Sequence, residues 1–149
     1  MKSKPLSQLV PDFRNALEEG LQEAAEQIVY DLKREGPYWT GFFESLWEVQ
    51  PGRTKIVANI KDATTNKKKR PGRDYTTAEV PESPNLGGYT IGNRANYRLY
   101  AMDILPSPTG RQGGDAPNKT ADKKWFDTYF NAKMPAVLDA KITNVFRRF

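Results

Sequence analysis

Apolar residues recur at steps of three or four between residues 12 and 34, and this stripe is the strongest constraint on the fold. The stripe consists of Phe13, Leu17, Leu21, Ala24, Ile28 and Leu32. Its spacing predicts one long helix with a single apolar face. Pro11 fits the first helical turn, where a missing N–H costs nothing, and Gly36-Pro37 ends the helix. Gly20 lowers helix stability by about 1 kcal/mol relative to alanine, but it leaves room for another backbone.

Strand patterns and a second helix follow the first helix. The predicted strands are residues 47–50, 54–60, 75–80 and 89–93. A turn at Pro51-Gly52 separates the first two, and alternation places Ile56, Ala58 and Ile60 on one side. Thr40 is a candidate N-cap for a short turn over residues 41–46. Pro135 fits the start of the last helix, and the apolar face of that helix is Leu138, Ile142, Val145 and Phe149.

Two segments show no periodicity and are predicted to be extended loops. Residues 61–74 are polar and basic, and residues 105–124 are rich in Pro, Gly, Ser, Asn and Lys. Residues 1–149 are therefore predicted to form a single α+β domain. In this domain the long N-terminal helix and the C-terminal helix pack on one face of a mostly antiparallel sheet. We expect the loop over residues 105–124 to become ordered only when it contacts a partner.

Composition limits the chemistry that the chain can perform. The sequence has no Cys and no His, which removes thiolate nucleophiles, the commonest general base and the commonest metal ligands. Glu19, Glu23 and Glu26 lie three or four apart, but such a face is usually only solvated. Residues 110–114 lack the Gly-Lys-Ser/Thr order of a phosphate-binding loop. We therefore expect no enzyme activity, no cofactor and no metal.

The sequence has no apolar run of about 20 residues, the length that would cross a bilayer, and its N-terminus lacks the apolar core of a secretory signal. We therefore expect a protein that is made in the cytoplasm and does not enter a membrane.

Two aromatic groups are candidates for subunit contacts. The first lies in residues 36–47, where Tyr38 and Trp39 are the rings most suited to remaining exposed until a neighbour covers them. The alternative is that all of these aromatics lock the first helix against the sheet. The second group is Trp125, Phe126, Tyr129 and Phe130. These rings occupy nearly every side of a helix, so we expect some of them, with Trp125, Phe126 and Tyr129 as the candidates, to meet another subunit.

Charge is segregated along a chain whose formal net charge is +5. Acids outnumber bases between residues 12 and 35, whereas bases dominate residues 61–73. The basic run contains Lys67, Lys68, Lys69, Arg70 and Arg73. It either docks on an acidic neighbour or touches DNA phosphates. Arg147 and Arg148 are candidates for contact with an acidic neighbour.

Three local signatures resemble the head–tail joining proteins of tailed phages, which include neck, tail-completion and tail-terminator proteins. A Thr-Gly step after the long helix corresponds to Thr40-Gly41-Phe42-Phe43-Glu44-Ser45, with Phe43 where an aliphatic residue is usual. A Gly-Asn step begins the second signature, which spans residues 92–101. The third is the C-terminal helix, residues 135–149. One departure is that Asp103 lacks the glycine that often accompanies an acid there.

The resemblance implies a structural virion protein without catalysis. Its expected assembly is a homohexameric ring in the neck or at the head-proximal end of the tail, with a channel through which double-stranded DNA passes. Its expected partners are copies of itself, other neck or portal-adaptor proteins and tail-tube proteins. Two alternatives remain at this point: a free nucleic-acid-binding protein that uses residues 61–73, and a small enzyme that uses the carboxylates of the first helix.

Overall fold

A computed structural model describes residues 4–37, 42–61, 80–82, 87–104 and 121–148. Its elements in chain order are α1 (Leu6–Glu35), α2 (Phe42–Ser45), β1 (Trp47–Pro51), β2 (Tyr89–Asn93), α3 (Arg98–Ala101), α4 (Trp125–Thr128), a π-helical turn (Tyr129–Lys133) and α5 (Met134–Arg148). The long N-terminal helix, the C-terminal helix and a two-stranded antiparallel sheet pack together, which confirms the predicted α+β class.

The helix α1 begins earlier than the sequence predicts. Pro5 precedes its first turn, so Pro11 lies inside the helix rather than at its start. A proline there removes the hydrogen bond that its N–H would give to the carbonyl of Ser7. Both residues are exposed, so water can satisfy that carbonyl. The predicted end is confirmed, because Gly36 caps α1 and donates its N–H to the Leu32 carbonyl.

The sheet pairs β1 with β2, so that Trp47 lies opposite Asn93 and Val49 opposite Ile91. The predicted strand over residues 54–60 is wrong, since only Ile60 forms a bridge, to Ala95. Side chains satisfy the backbone here: the Thr54 N–H donates to Thr90 Oγ1, and Arg98 Nη1 donates to the Ile56 carbonyl. The predicted alternation still holds, because Ile56 is buried whereas its two neighbours are exposed.

The core lies against the C-terminal half of α1. Residues Ala25, Ile28, Val29 and Leu32 of this helix meet residues from the sheet and from α4. Those partners include Phe43, Trp47, Val49, Val80, Ala95 and Trp125. The N-terminal half of α1 reaches beyond this core, because 30 residues span about 45 Å. The predicted apolar stripe is therefore buried at Ile28 but 52% exposed at Phe13.

The C-terminal helix begins at Trp125, not at Pro135 as predicted. Three consecutive helical segments run from Trp125 to Arg148, and Pro135 is the second residue of α5, which follows the π-helical turn. A wider turn of this kind relieves the register that a proline disrupts. The helix runs antiparallel to α1, since Tyr129 contacts Asp31 while Phe146 contacts Phe13. The predicted packing of the last helix against the first is thus confirmed.

Close contact between α1 and α5 depends on Gly20. A Cβ placed on this glycine would lie 3.3 Å from the Ile142 Cα and 3.5 Å from a Val145 methyl group. The prediction that Gly20 admits another backbone is therefore confirmed. The contact surface between α1 and the helical segments from Trp125 to Arg148, here called the helix seam, runs from Asp31 and Tyr129 to Phe13 and Phe146.

Candidate assembly surfaces

The two central signatures meet in space through the side chain of Asn93. This residue is 1% exposed and ends β2. Its Nδ2 donates to the Phe43 carbonyl at 2.9 Å, and its Oδ1 accepts the Ala95 N–H at 2.9 Å. Phe43 belongs to the first signature and Ala95 to the second. A single buried amide therefore joins the turn after α1 to the turn after β2.

Two residues near Asn93, Gly92 and Ala95, are small for steric reasons. A Cβ on Gly92 would lie 3.1 Å from the Ile56 Cβ, which is closer than most real side chains tolerate. Ala95 is completely buried and carries the bridge to Ile60. At these two positions of the second signature, larger side chains would displace the residues packed against them.

The aromatic cluster at the start of the C-terminal helix divides into a buried pair and a more exposed pair. Trp125 and Tyr129 are 3% and 2% exposed, so within one chain neither ring offers a surface to a neighbour. Trp125 packs beside Gly36, and the Tyr129 hydroxyl bonds Asp31, so both rings lie against the C-terminal end of α1. Their contact with another subunit stays a prediction. Phe126 is half-buried and stacks on Phe130 at 6.1 Å, and Phe130 is 51% exposed. In the single chain, the surface that this cluster leaves open to a neighbour is therefore that of Phe126 and Phe130.

Tyr129 makes a buried polar contact across the helix seam. Its hydroxyl donates to Asp31 Oδ2 at 2.8 Å, and Gln27 Nε2 donates to the other carboxylate oxygen at 2.8 Å. Burial, and then the hydrogen bond to the Asp31 carboxylate, raises the pKa of Tyr129 well above its ordinary value. At the surface nearby, Lys133 and Glu35 form an ion pair at 2.7 Å. Polar contacts of this kind fix the register of two packed helices.

A clip joins the two ends of the segment between residues 104 and 121. The buried Asp103 accepts the Lys124 N–H on Oδ2 at 2.6 Å, and Trp125 Nε1 donates to the Ala101 carbonyl at 2.9 Å. Asp103 has a φ of 59°, a left-handed conformation that Asp tolerates better than most residues do. Asp103 thus takes a conformation for which a glycine is usual.

Only some of the residues that were predicted to make charged contacts are among the described residues. Arg147 is exposed on α5, and the α1 carboxylates of Glu19 and Glu26 are exposed as well. Arg148 ends α5. Tyr38, Trp39 and the basic residues Lys67, Lys68, Lys69, Arg70 and Arg73 lie outside the described residues.

An exposed apolar patch at the beginning of α1 was not predicted from the sequence. It consists of Leu6, Leu9, Val10 and Phe13, which are 75%, 38%, 57% and 52% exposed. Their spacing continues the stripe of α1 toward the N-terminus. The pattern was visible in the sequence, but placing Pro11 in the first turn put Leu6, Leu9 and Val10 outside the helix. We call this patch the N-terminal stripe.

Within residues 4–37, 42–61, 80–82, 87–104 and 121–148, acidic side chains form no group of three or more that could hold a metal ion. The helices in the same ranges include none that is long and apolar enough to cross a membrane. Comparisons with protein-family models, with curated proteins and with solved structures find no match to this chain.

Proposed function

We propose that this chain is a structural subunit of a ring in the neck, or at the head-proximal end of the tail, of a tailed phage. The observation that carries the proposal is the contact between the two signatures through Asn93. Signatures that were recognised separately in the sequence form one buried unit in the fold. A chance match of short motifs would give no reason for Phe43 and Ala95 to share one side chain.

The ring would form by a heterologous contact, in which one patch on a subunit meets a different patch on the next. Such a contact closes when it is repeated by rotation. Phe126 and Phe130 supply an apolar patch, and Arg147 supplies positive charge near the end of α5. The exposed carboxylates of Glu19 and Glu26 offer a complementary charge on α1. We expect six copies, as the resemblance implies.

The ring would join head to tail and leave a channel for DNA. Lys67, Lys68, Lys69, Arg70 and Arg73 would contact DNA or a neighbouring protein weakly, because phosphate contacts of this kind are blind to sequence and weaken with salt. Portal-adaptor or neck proteins would bind one side of the ring and tail-tube proteins the other. The subunit would thus assemble in the host cytoplasm and remain in the virion.

The first test is the mass and shape of the purified full-length chain. We expect a species of about six times the 16.9 kDa subunit mass in light scattering after gel filtration, and ring-shaped particles in negative-stain images. Phe130→Asp removes the exposed ring of the aromatic pair and should lower the mass of the species. The matched control is Val57→Asp, because Val57 has the same 51% exposure. A single chain at high concentration, alone and mixed with its virion neighbours, would contradict the proposal.

A free nucleic-acid-binding protein is the second candidate. The observation that favours it is the exposure of three basic residues before or at the start of the segment 61–73, namely Arg53, Lys55 and Lys61. This candidate predicts that isolated monomers shift duplex DNA in a gel at physiological salt. Replacing Lys67, Lys68 and Lys69 with Gln should then abolish the shift, whereas Arg14→Gln should not. Negligible binding by the wild-type monomer would exclude this candidate and leave the ring subunit.

A further inference from the structure

The chain between residues 53 and 61 runs alongside β2 and carries charges of only one sign. Three of its exposed side chains are cations, namely Arg53, Lys55 and Lys61, and residues 52–61 contain no acid. No hydrogen bond or ion pair joins the charged group of any of the three to another described residue. We call these three side chains the basic strip, and their charge is not balanced within the segment that carries them.

The neighbouring segment does not balance this charge either. Residues 87–102, which include β2 and α3, contain two arginines but no Asp or Glu, although the whole chain has 18 acids. Glu48 on β1 lies 3.7 Å from Arg94, so this acid is already shared with another cation. By contrast, Lys4 and Lys133 on other elements have carboxylates at 2.8 Å and 2.7 Å. The uncompensated charge of the basic strip therefore favours an anionic partner.

Burial alternates along this segment, so the exposed side chains lie on one side of it. The odd-numbered side chains from Lys55 to Lys61 are exposed, whereas those between them are buried or half-buried. A period of two belongs to an extended chain. Lys55 and Lys61 therefore lie up to about 20 Å apart on the same side. A row of this length fits a polyanion such as duplex DNA, which carries a charge every 3.4 Å or so along each strand, better than it fits a small anion.

Hydrogen bonds to distant residues hold the backbone beneath the basic strip. The Thr54 N–H donates to Thr90 Oγ1 at 3.2 Å, near the beginning of the strip. At its end, the Ile60 N–H donates to the Arg94 carbonyl at 3.0 Å, and the Asn96 N–H donates to the Ile60 carbonyl at 2.9 Å. The cations thus project from a backbone that is already fixed, so a partner does not have to order it on binding.

We propose that the basic strip binds the phosphate backbone of duplex DNA. Each cation that approaches a phosphate releases a condensed counterion, and this gain does not depend on base sequence. The exposed amide of Asn59 lies between Lys55 and Lys61 in the row, and it can donate a hydrogen bond to a phosphate oxygen. A contact with only three cations is weak, which suits a duplex that must move past the subunit.

The choice of duplex DNA as the polyanion rests on the proposed function, in which DNA passes through a ring of these subunits. The basic strip would then face the channel, and the copies in the ring would add their weak contacts. An acidic protein surface is the other polyanion to consider. The exposed carboxylates of Glu19 and Glu26 lie about 10 Å apart along α1, so this pair would meet only part of the row.

The first experiment compares two double variants that each remove one arginine and one lysine. Arg53→Gln with Lys55→Gln changes the basic strip, whereas Arg14→Gln with Lys141→Gln removes the same charge from α1 and α5. Binding to a short fluorescent duplex is measured by anisotropy between about 50 and 200 mM salt. Each lost phosphate contact lowers the slope of log K against log salt by about 0.9, so the strip variant should lose up to about 1.8 of this slope. The helix variant should keep the wild-type slope.

The proposal fails if both variants have equal slopes, or if wild type does not bind the duplex at about 50 mM salt. Circular dichroism checks that all three proteins have the same helix content, and light scattering gives their masses in the same samples. A strip variant with a lower mass and unchanged DNA affinity would assign the strip to a contact between subunits, which also overturns the proposal. A wild-type chain that binds DNA through the strip but forms no ring would support the strip and contradict the ring.

The second experiment places a photo-activated cross-linker on a single cysteine, because the sequence has none of its own. Asn59→Cys puts the cross-linker within the row, and Asn144→Cys puts it at an exposed position of α5. Both substitutions leave the charge of the protein unchanged. On irradiation with the duplex, the Asn59→Cys protein should form a DNA adduct several times more efficiently than the Asn144→Cys protein. Equal yields would overturn the proposal, since the DNA would then not lie along the basic strip.

Discussion

Asn93 holds together two segments that are separated by 50 residues along the chain. Its amide is a donor and an acceptor on one short side chain, so it can satisfy a carbonyl and an N–H in different segments. Gln is longer by one methylene group, and Asp lacks the donor. At the scale of single residues, this explains why an asparagine occupies the Gly-Asn step.

Asn93→Ala should therefore destabilise the fold. The substitution leaves the buried Ala95 N–H without its partner, at a cost of about 1–3 kcal/mol. It also removes one of the two hydrogen bonds to the Phe43 carbonyl, which still accepts the Leu46 N–H at 3.2 Å. Urea unfolding should show a lower free energy of unfolding and an unchanged slope. Asn96→Ala, at an exposed site three residues away, is the matched control and should change stability by less than about 0.5 kcal/mol. Similar stabilities for the two variants would contradict the role of Asn93.

Tyr129 should make stability depend on alkaline pH. Its pKa in the folded state is raised above the value of about 10 in the unfolded chain, so the folded state keeps the proton longer. The resulting contribution to stability is complete below about pH 10 and is lost as the pH rises above it, at up to about 1.4 kcal/mol per pH unit. Urea unfolding at about pH 8 and pH 11 should show a smaller fall for Tyr129→Phe than for wild type. Equal falls would show that this hydroxyl does not titrate as expected.

The sequence anticipated some single residues better than others. The small size of Gly20 predicted that another backbone would approach it closely, and in the structure the Ile142 backbone does so. The burial of Trp125 and Tyr129 was not anticipated, because four aromatics in six residues look alike on a helical wheel. Their separation into buried and exposed rings depends on where α4 docks against α1. That depends on contacts between residues about 100 positions apart, which local patterns do not report.

At the scale of elements, the helix seam is the contact on which the architecture depends. It places the C-terminal helix along α1, with the Asp31–Tyr129 contact near one end and Phe13–Phe146 at the other. The predicted α1 end, β1, β2 and last helix are all present. The missing strand over residues 54–60 was not predictable, because the backbone there bonds Thr90 and Arg98 from distant segments.

Gly20→Val should separate the two helices of the seam. The added methyl groups would meet the Ile142 backbone, which cannot move away as a flexible side chain can. Overpacking of this kind costs about 1–3 kcal/mol. Asn15→Val, at an exposed position of the same helix, introduces the same side chain without the clash, since valine and asparagine have similar helix propensities. Thermal unfolding should show a clearly lower Tm for Gly20→Val than for Asn15→Val, and equal values would argue against close packing at this site.

At the scale of the whole molecule, the two halves of α1 differ in burial. The core surrounds residues 24–32 of α1, and the first turns of the same helix carry exposed apolar side chains. Composition suggested a chain that is incomplete alone, since its mean hydropathy of −0.74 is low. It did not show where the incomplete surface lies. Locating that surface requires knowing where α5 ends along α1, and this follows from the register of the helix seam.

The clip between Asp103 and Lys124 has a practical consequence for anyone who engineers this protein. It holds Asp103 beside Lys124 and Ala101 beside Trp125, so the fold fixes both ends of the intervening chain at one place. For a flexible connection, the entropy of closure grows slowly, by about 0.6 kcal/mol for each doubling of its length. A label added between residues 104 and 121 would therefore raise the free energy of closing the clip only slightly.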